Sequence, residues 1–498
     1  MAVPVNLESY RRSAETFLTA LETAYYRHYA GLEDDFEIES IYSRHRQLFE
    51  RGAVESIREL RERAAPGSEE RRRLGMLLDF ASQGYLGQDT KAIEAELARR
   101  ESRLVVKVGG ESMGFREAAV VQANEPDAGR RTLIERGRLE LIDRELRPLQ
   151  EELIERQHAG ARALGWSSYR DLCAGCKDLD LPALHAQTQE FLAATEGEYQ
   201  ERLERELHRT VGIGLAELTS ADLPWFFRAA CHDGAFPAER LVPSYVETLE
   251  GLGIDLSSQK GVTLDVEPRR KKSPRAFCAP VRVPGEVYLV IAPIGGQDDF
   301  EALFHEGGHL EHAANVDPGL PFEFRRLGDN AITETFAFLF QHLVADPVWL
   351  ERRLGVPGAS ELAGYAVAER LVYLRRYASK LSYELELHDA GTRPASMRSR
   401  YSELLGSAIG VPWPGETFLA DVDPGFYCTC YLRAWALETR LRRHLRERFG
   451  AAWFDSREAG EELRRLWRTG QRLTPDELLA SLTGEELDFR TVLEELAE

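Results

Sequence analysis

His305 and His309 stand four residues apart with Glu306 between them. On an α-helix, both imidazoles then lie on one face, one turn apart, with a carboxylate projecting beside them. Two histidines so placed can grip one Zn²⁺, and the glutamate sits where it can take a proton from a water held by that ion. With 12 His and 83 acidic residues in 498, a shuffled chain would show His-acid-x-x-His roughly 5% of the time, so the pattern needs further ligands beside it.

A hydrolytic zinc takes a third protein ligand and leaves one position open. Asp329 and Glu334 compete for that role. Asp329-Asn330 reads as the N-cap of a following helix, a task that ties an Asp side chain to backbone N–H groups. Glu334 lies inside Ala331 to Val344, where Ile332, Phe336, Phe338, Leu339, Phe340 and Leu343 leave little polar face. A carboxylate there is costly unless paired or bound to metal, so Glu334 is the expected ligand. The alternative is an ordinary glutamate favoured by the helix dipole in a first turn.

The elements that must position these groups are legible around them. Asp298 followed by Glu301 reads as a capping box, and Phe300, Leu303, Phe304, Leu310 and Ala314 recur at helical spacing until Pro318-Gly319. Gly307 and Gly308 each cost this helix about 1 kcal/mol relative to alanine, which predicts that something approaches the backbone closely. Upstream, Val281 and Val283, then Val287, Leu289 and Ile291, alternate across Pro284-Gly285 as a β-hairpin. Such a hairpin either offers an edge to an extended peptide or merely covers the core.

Phe304-His305-Glu306-Gly307-Gly308-His309, followed 25 residues later by Glu334, resembles the thimet oligopeptidase and oligoendopeptidase F family of gluzincin peptidases. Ala276-Phe277-Cys278, the strand pair after it, Asp299 to Phe304, and Leu473 to Leu479 carry the same resemblance, which spans about residues 265 to 485. It implies one Zn²⁺ held by His305, His309 and Glu334, with Glu306 as general base. It also implies two helical lobes facing each other across a deep channel, with short unstructured peptides as substrates. Gly425 to Tyr431 is similar to the family's aromatic-rich segment, so Tyr427 and Tyr431 become candidate oxyanion donors, Tyr431 first. Two positions depart from the family: Asp421 stands where relatives carry a histidine, and Phe338 where an acidic partner is often found one turn after the glutamate ligand. The resemblance leaves three outcomes: an oligoendopeptidase; an exopeptidase of the Taq-type carboxypeptidase or angiotensin-converting enzyme kind, to which the chain is more distantly similar; or an inactive helical binding protein that keeps the fold.

The rest of the chain bounds the architecture. Residues 7 to 100 and 129 to 210 read as long charged amphipathic helices, as do Ala359 to Leu387 and Tyr431 to Phe449. Leu104 to Gly110 begins a small hairpin expected to return near Ala118 to Val121. The expectation is a mainly α protein with minor β-ribbons, an N-terminal helical region over 1–210 and a catalytic region over 211–498.

Formal charge is 63 minus 83, or −20, which disfavours nucleic-acid binding because that needs a basic footprint. No apolar stretch reaches the length of a membrane span, and Met1 to Tyr26 carries acids and lacks a signal-peptide core, so a cytoplasmic location is expected. Six cysteines in this length make no disulfide framework. Cys173-Ala174-Gly175-Cys176 has redox or metal spacing but no partner pair, and a structural role is expected for it. Oligomeric state is not legible.

Overall fold

Small polar residues open the long helices. Asn6, Ser68 and Asp180 each accept a hydrogen bond from a backbone N–H three residues on, starting Leu7–Tyr29, Glu69–Glu101 and Leu181–Thr210. The computed structural model describes residues 6–356 and 359–496, so the first five residues of the N-terminal stretch lie outside it. The protein is mainly α, and no helix among the described residues is long and apolar enough to cross a membrane.

The largest buried cluster combines residues from Tyr10 to Ala229 with residues from Phe322 to Val492, so the two halves of the chain share a core. A second cluster surrounds the segment His305 to His309 and joins Tyr245, Phe300, Phe304, Phe336, Trp349 and Trp467.

Two small sheets accompany the helices. Strands β1 (Val105–Val108) and β2 (Glu111–Gly114) form an antiparallel hairpin. It is tighter than the sequence suggested: Gly109 and Gly110 both take positive φ and turn the chain at once, leaving Ala118 to Val121 inside the helix Phe115–Asn124. In the second sheet β3 (Val262–Asp265) runs parallel to β5 (Glu286–Val290), and β4 (Phe277–Arg282) runs antiparallel to it. The order β3-β5-β4 places β4 on an edge.

Three helices build the candidate site. The motif helix is Gln297–Ala314, the glutamate helix Asn330–Gln341, and the tyrosine helix Cys428–Phe449. The cap of the motif helix differs from the capping-box reading: Gly296, with φ 91°, is the N-cap, and Asp298 already lies in the first turn. Asp299 rather than Asp298 ties down the entry, accepting from the backbone N–H of Ile294 at 2.6 Å and of Gly295 at 2.8 Å.

The two motif glycines have a packing reason. A Cβ on Gly308 would lie 2.3 Å from the Phe336 carbonyl oxygen and 2.6 Å from Ala337 Cα, and one on Gly307 would lie 2.4 Å from the Tyr245 ring. The motif helix therefore presses backbone to backbone on the glutamate helix, which a side chain at 308 would prevent. That contact brings the histidines within reach of Glu334.

Candidate metal centre

The motif helix puts His305 and His309 on one face, with ring centroids 4.9 Å apart and planes at 85°. The glutamate helix faces them: Glu334 Oε2 lies 3.5 Å from His305 Nε2 and 3.7 Å from His309 Nε2. Three ligands about 2.0–2.2 Å from a tetrahedral Zn²⁺ stand roughly 3.3–3.6 Å from one another, so the spacing suits the ion. Glu334 Oε2 is buried and has no hydrogen-bond partner, while Oε1 accepts from the Tyr427 hydroxyl at 2.7 Å. An orphaned buried carboxylate oxygen is expensive, and a cation between it and the two Nε2 atoms satisfies it.

The far side of each imidazole is held. His305 Nδ1 lies 2.8 Å from Gln341 Oε1 and His309 Nδ1 2.8 Å from Thr333 Oγ1. An amide oxygen can only accept, so His305 carries its proton on Nδ1 and turns the lone pair of Nε2 toward Glu334. Burial lowers both histidines to about 4, and for His305 the neighbouring His309 adds to this while Glu334 opposes it, so both are neutral at pH 7, the form that ligates metal. Burial also raises Glu334.

Glu306 projects beside the group, and its Oε2 accepts from the Cys278 N–H of β4 at 2.8 Å. Burial pushes its carboxyl up to about 8, with the charge of Glu334 adding to the rise. β4 is the edge strand that the hairpin reading required, yet Glu306 takes the Cys278 N–H and the Arg326 guanidinium takes the Pro280 carbonyl. Those edge groups are closed to an added strand, so over this stretch the hairpin orients the carboxylate instead of pairing with a peptide.

The two tyrosines differ. Tyr427 spends its hydroxyl on Glu334, whereas the hydroxyl of Tyr431, whose ring centroid is 5.1 Å away, makes no hydrogen bond among the described residues. Tyr431 packs between Phe338, Tyr377 and Trp435. Burial and the nearby Glu334 raise both phenols, which stay protonated and able to donate.

Asp329 does what its place before the helix predicts, accepting from Ala331 N–H at 2.9 Å, and it pairs with Arg433. Asp421 is bound to Arg376 and accepts from the Tyr401 hydroxyl at 2.6 Å, so it anchors the fold. Cys173 and Cys176 are buried free thiols pushed up to about 12 by burial. His312, buried, bonds the Gly470 carbonyl at 3.3 Å, and His342 lies 2.9 Å from Glu438.

Gln341 and Thr333, which hold the two imidazoles, carry no motif that marks them in the sequence. Their one local signal is polarity within an apolar helix: Thr333 adjoins Glu334, and Gln341 falls two turns after it on the same face. Comparison of the chain with models of known protein families gives no match, and neither does comparison with curated proteins.

Proposed function

We propose that this protein is a zinc-dependent peptidase that hydrolyses short unstructured peptides, acting as an oligoendopeptidase. The observation that carries the reading is the convergence of His305 Nε2, His309 Nε2 and an unpartnered Glu334 Oε2, with the buried Glu306 carboxyl alongside. His305, His309 and Glu334 would hold the ion. When bound, zinc supplies Lewis acidity that polarises a carbonyl and makes water acidic enough to attack at neutral pH.

The chain's own residues do the rest. Glu306 is fixed through Oε2 to the Cys278 N–H, which leaves Oε1 to accept the proton of the attacking water and deliver it to the leaving amine. Its preference for the protonated state in this buried setting makes it a ready acceptor and then a ready donor near pH 7. The uncommitted Tyr431 hydroxyl donates to the oxygen on which negative charge develops, adding no charge of its own. Tyr427 holds the ligand carboxylate in place through Oε1. A cytoplasmic setting belongs to the same proposal and rests on six cysteines that all stand as free thiols.

The test combines metal analysis with a chelator-reversible assay on quenched peptides of graded length. Glu306→Gln keeps zinc and loses about 10²–10⁴-fold in rate. Glu334→Ala weakens zinc binding, and Asp329→Ala does not. A metal-free, inert protein, or equal zinc affinity in wild type and Glu334→Ala, would overturn the proposal.

A further inference from the structure

One turn before His305, Glu301 belongs to a group of acceptors that metal binding and proton transfer leave unused. Gln341 joins the two places, with Oε1 at 2.8 Å from His305 Nδ1 and Nε2 at 3.5 Å from Glu301 Oε2. Glu301 Oε1 accepts from Gln297 Nε2 at 2.7 Å. Glu369, buried on the helix Ser360–Leu387, lies close enough for the charges of Glu301 and Asp298 to raise its carboxyl.

Nothing cationic answers them. Arg228, which acts on Asp298, is engaged with Asp233 through two contacts of 2.7 Å, and no cation among the described residues acts on Glu301 or Glu369. A separate observation points to a missing donor. Gln297 is only 2% exposed, and its Oε1 has no hydrogen-bond partner although the same amide presents Nε2 to Glu301. Among the described residues Glu301 and Glu369 have only neutral donors, Gln297 and Gln341 for the first and Tyr365 for the second. A buried amide oxygen left unmatched beside Glu301 fits a site completed by a cationic ligand that donates. Tyr373 adds an aromatic wall: it is 37% exposed, stacks on Phe227 at 4.7 Å, and feels the charges of Glu369 and Glu301, opposed by Arg376, which is itself paired with Asp421. Such a ring face attracts a cation.

We propose that Glu301, Glu369, Asp298 and the Gln297 carbonyl oxygen form a subsite for a cationic group of the peptide, an ammonium or guanidinium, close to the bond that is cut. The assignment rests on the peptidase reading. Four residues of helix separate Glu301 from His305 by about 6 Å along the axis. An extended peptide advances about 3.3 Å per residue, so the cation belongs one to two residues from the scissile carbonyl. Two sources supply that chemistry: the free α-amino group of a peptide whose N-terminus reaches the site, or a lysine or arginine side chain. Burial pushes Glu301 up to about 7 and Glu369 well above the carboxylate range, with Asp298 adding to both, and a bound cation relieves that repulsion.

The experiment uses matched peptides with lysine or norleucine scanned across two residues on each side of the cleaved bond, each with a free or an acetylated N-terminus. Wild-type kcat/KM is expected to favour the cationic member by about tenfold or more. Loss of the preference on acetylation identifies the amino group, and loss on the norleucine exchange identifies the side chain. Glu369→Gln brings the cationic-to-neutral ratio near one and Glu369→Asp restores part of it; Asp298→Asn, at an exposed position, lowers the ratio should Glu369→Gln not fold. Anisotropy with the same labelled peptides on full-length Glu306→Gln reads binding apart from cleavage. Cleavage at equal rates for both members, or a ratio untouched by these variants, overturns the subsite and leaves the peptidase standing. Preferential binding without wild-type cleavage keeps the subsite and overturns the peptidase, and the absence of both overturns both.

Discussion

His305, His309 and Glu334 on one side, and Glu384, Asp423 and Cys428 on the other, each bring three donor atoms within 4.8 Å of one another. Their surroundings are opposite. In the second group Lys380 Nζ already lies 2.9 Å from Asp423 Oδ1, 3.5 Å from Asp421 and 3.8 Å from Glu384. Glu384 also accepts from the Asp423 N–H at 2.9 Å and from Cys428 Sγ at 3.4 Å, and burial raises its carboxyl to about 8, so it keeps its proton. A lysine and a proton balance that cluster, which fastens the segment before the tyrosine helix. Each group has one buried carboxylate oxygen without a hydrogen-bond partner, Glu334 Oε2 and Asp423 Oδ2, but the first has no lysine or arginine paired with it among the described residues, and both its imidazoles are turned by partners behind them. Donor proximity alone therefore does not distinguish a metal site from an ion-pair knot; the unmet charge does.

The sharpest way to break the comparison is to remove one carboxylate from the first group and one thiol from the second. Glu334→Ala should lower zinc affinity by more than the 10–100-fold that loss of an orienting partner costs, whereas Cys428→Ser should leave it unchanged in competition titrations. If both variants bind zinc alike, the distinction drawn from charge balance fails. Next in size is Lys380→Met, which strands buried acids and should cost about 3–5 kcal/mol in urea unfolding with zinc stoichiometry unaltered.

Titration distinguishes the second cluster too. The Glu384 carboxyl has its folded value raised above its unfolded one, so its contribution to stability is fully present below about pH 4.5 and is lost as pH rises through about 8. Glu384→Gln should flatten the fall in stability across that window relative to wild type; an unchanged slope would show that the carboxyl is ionised in the fold. The smallest expected effects come from the partners behind the imidazoles. Gln341→Leu and Thr333→Val should each weaken zinc binding about 10–100-fold while unfolding midpoints of the metal-free proteins stay close to wild type.

Much of the fold was legible because its signals are local. Apolar spacing marked the long helices, Asp329 announced its cap, and two glycines in the motif announced a close approach before its partners, Phe336 and Tyr245, were known. The capping box at Asp298 does not form because the preceding glycines, both at positive φ, start the helix two residues earlier and hand the entry to Asp299. The β1–β2 hairpin is shorter than its apolar pattern suggests for a similar reason, since Gly109-Gly110 turns within two residues.

What the sequence determined by itself is the set of groups that one helical turn can show together: two imidazoles and a carboxylate, fixed by a repeat of 3.6 residues and needing no distant partner. What only tertiary structure decided is how those groups are completed. Thr333, Gln341 and Tyr427 reach their partners over 24, 36 and 93 residues of chain, and the Cys278 N–H reaches Glu306 over 28. No local pattern encodes such pairings, because they depend on which helix faces which and at what distance. The same packing decided that Tyr427 is spent on Glu334 while the Tyr431 hydroxyl stays open, and that Lys380 reaches one cluster of donors while no lysine or arginine among the described residues pairs with the other.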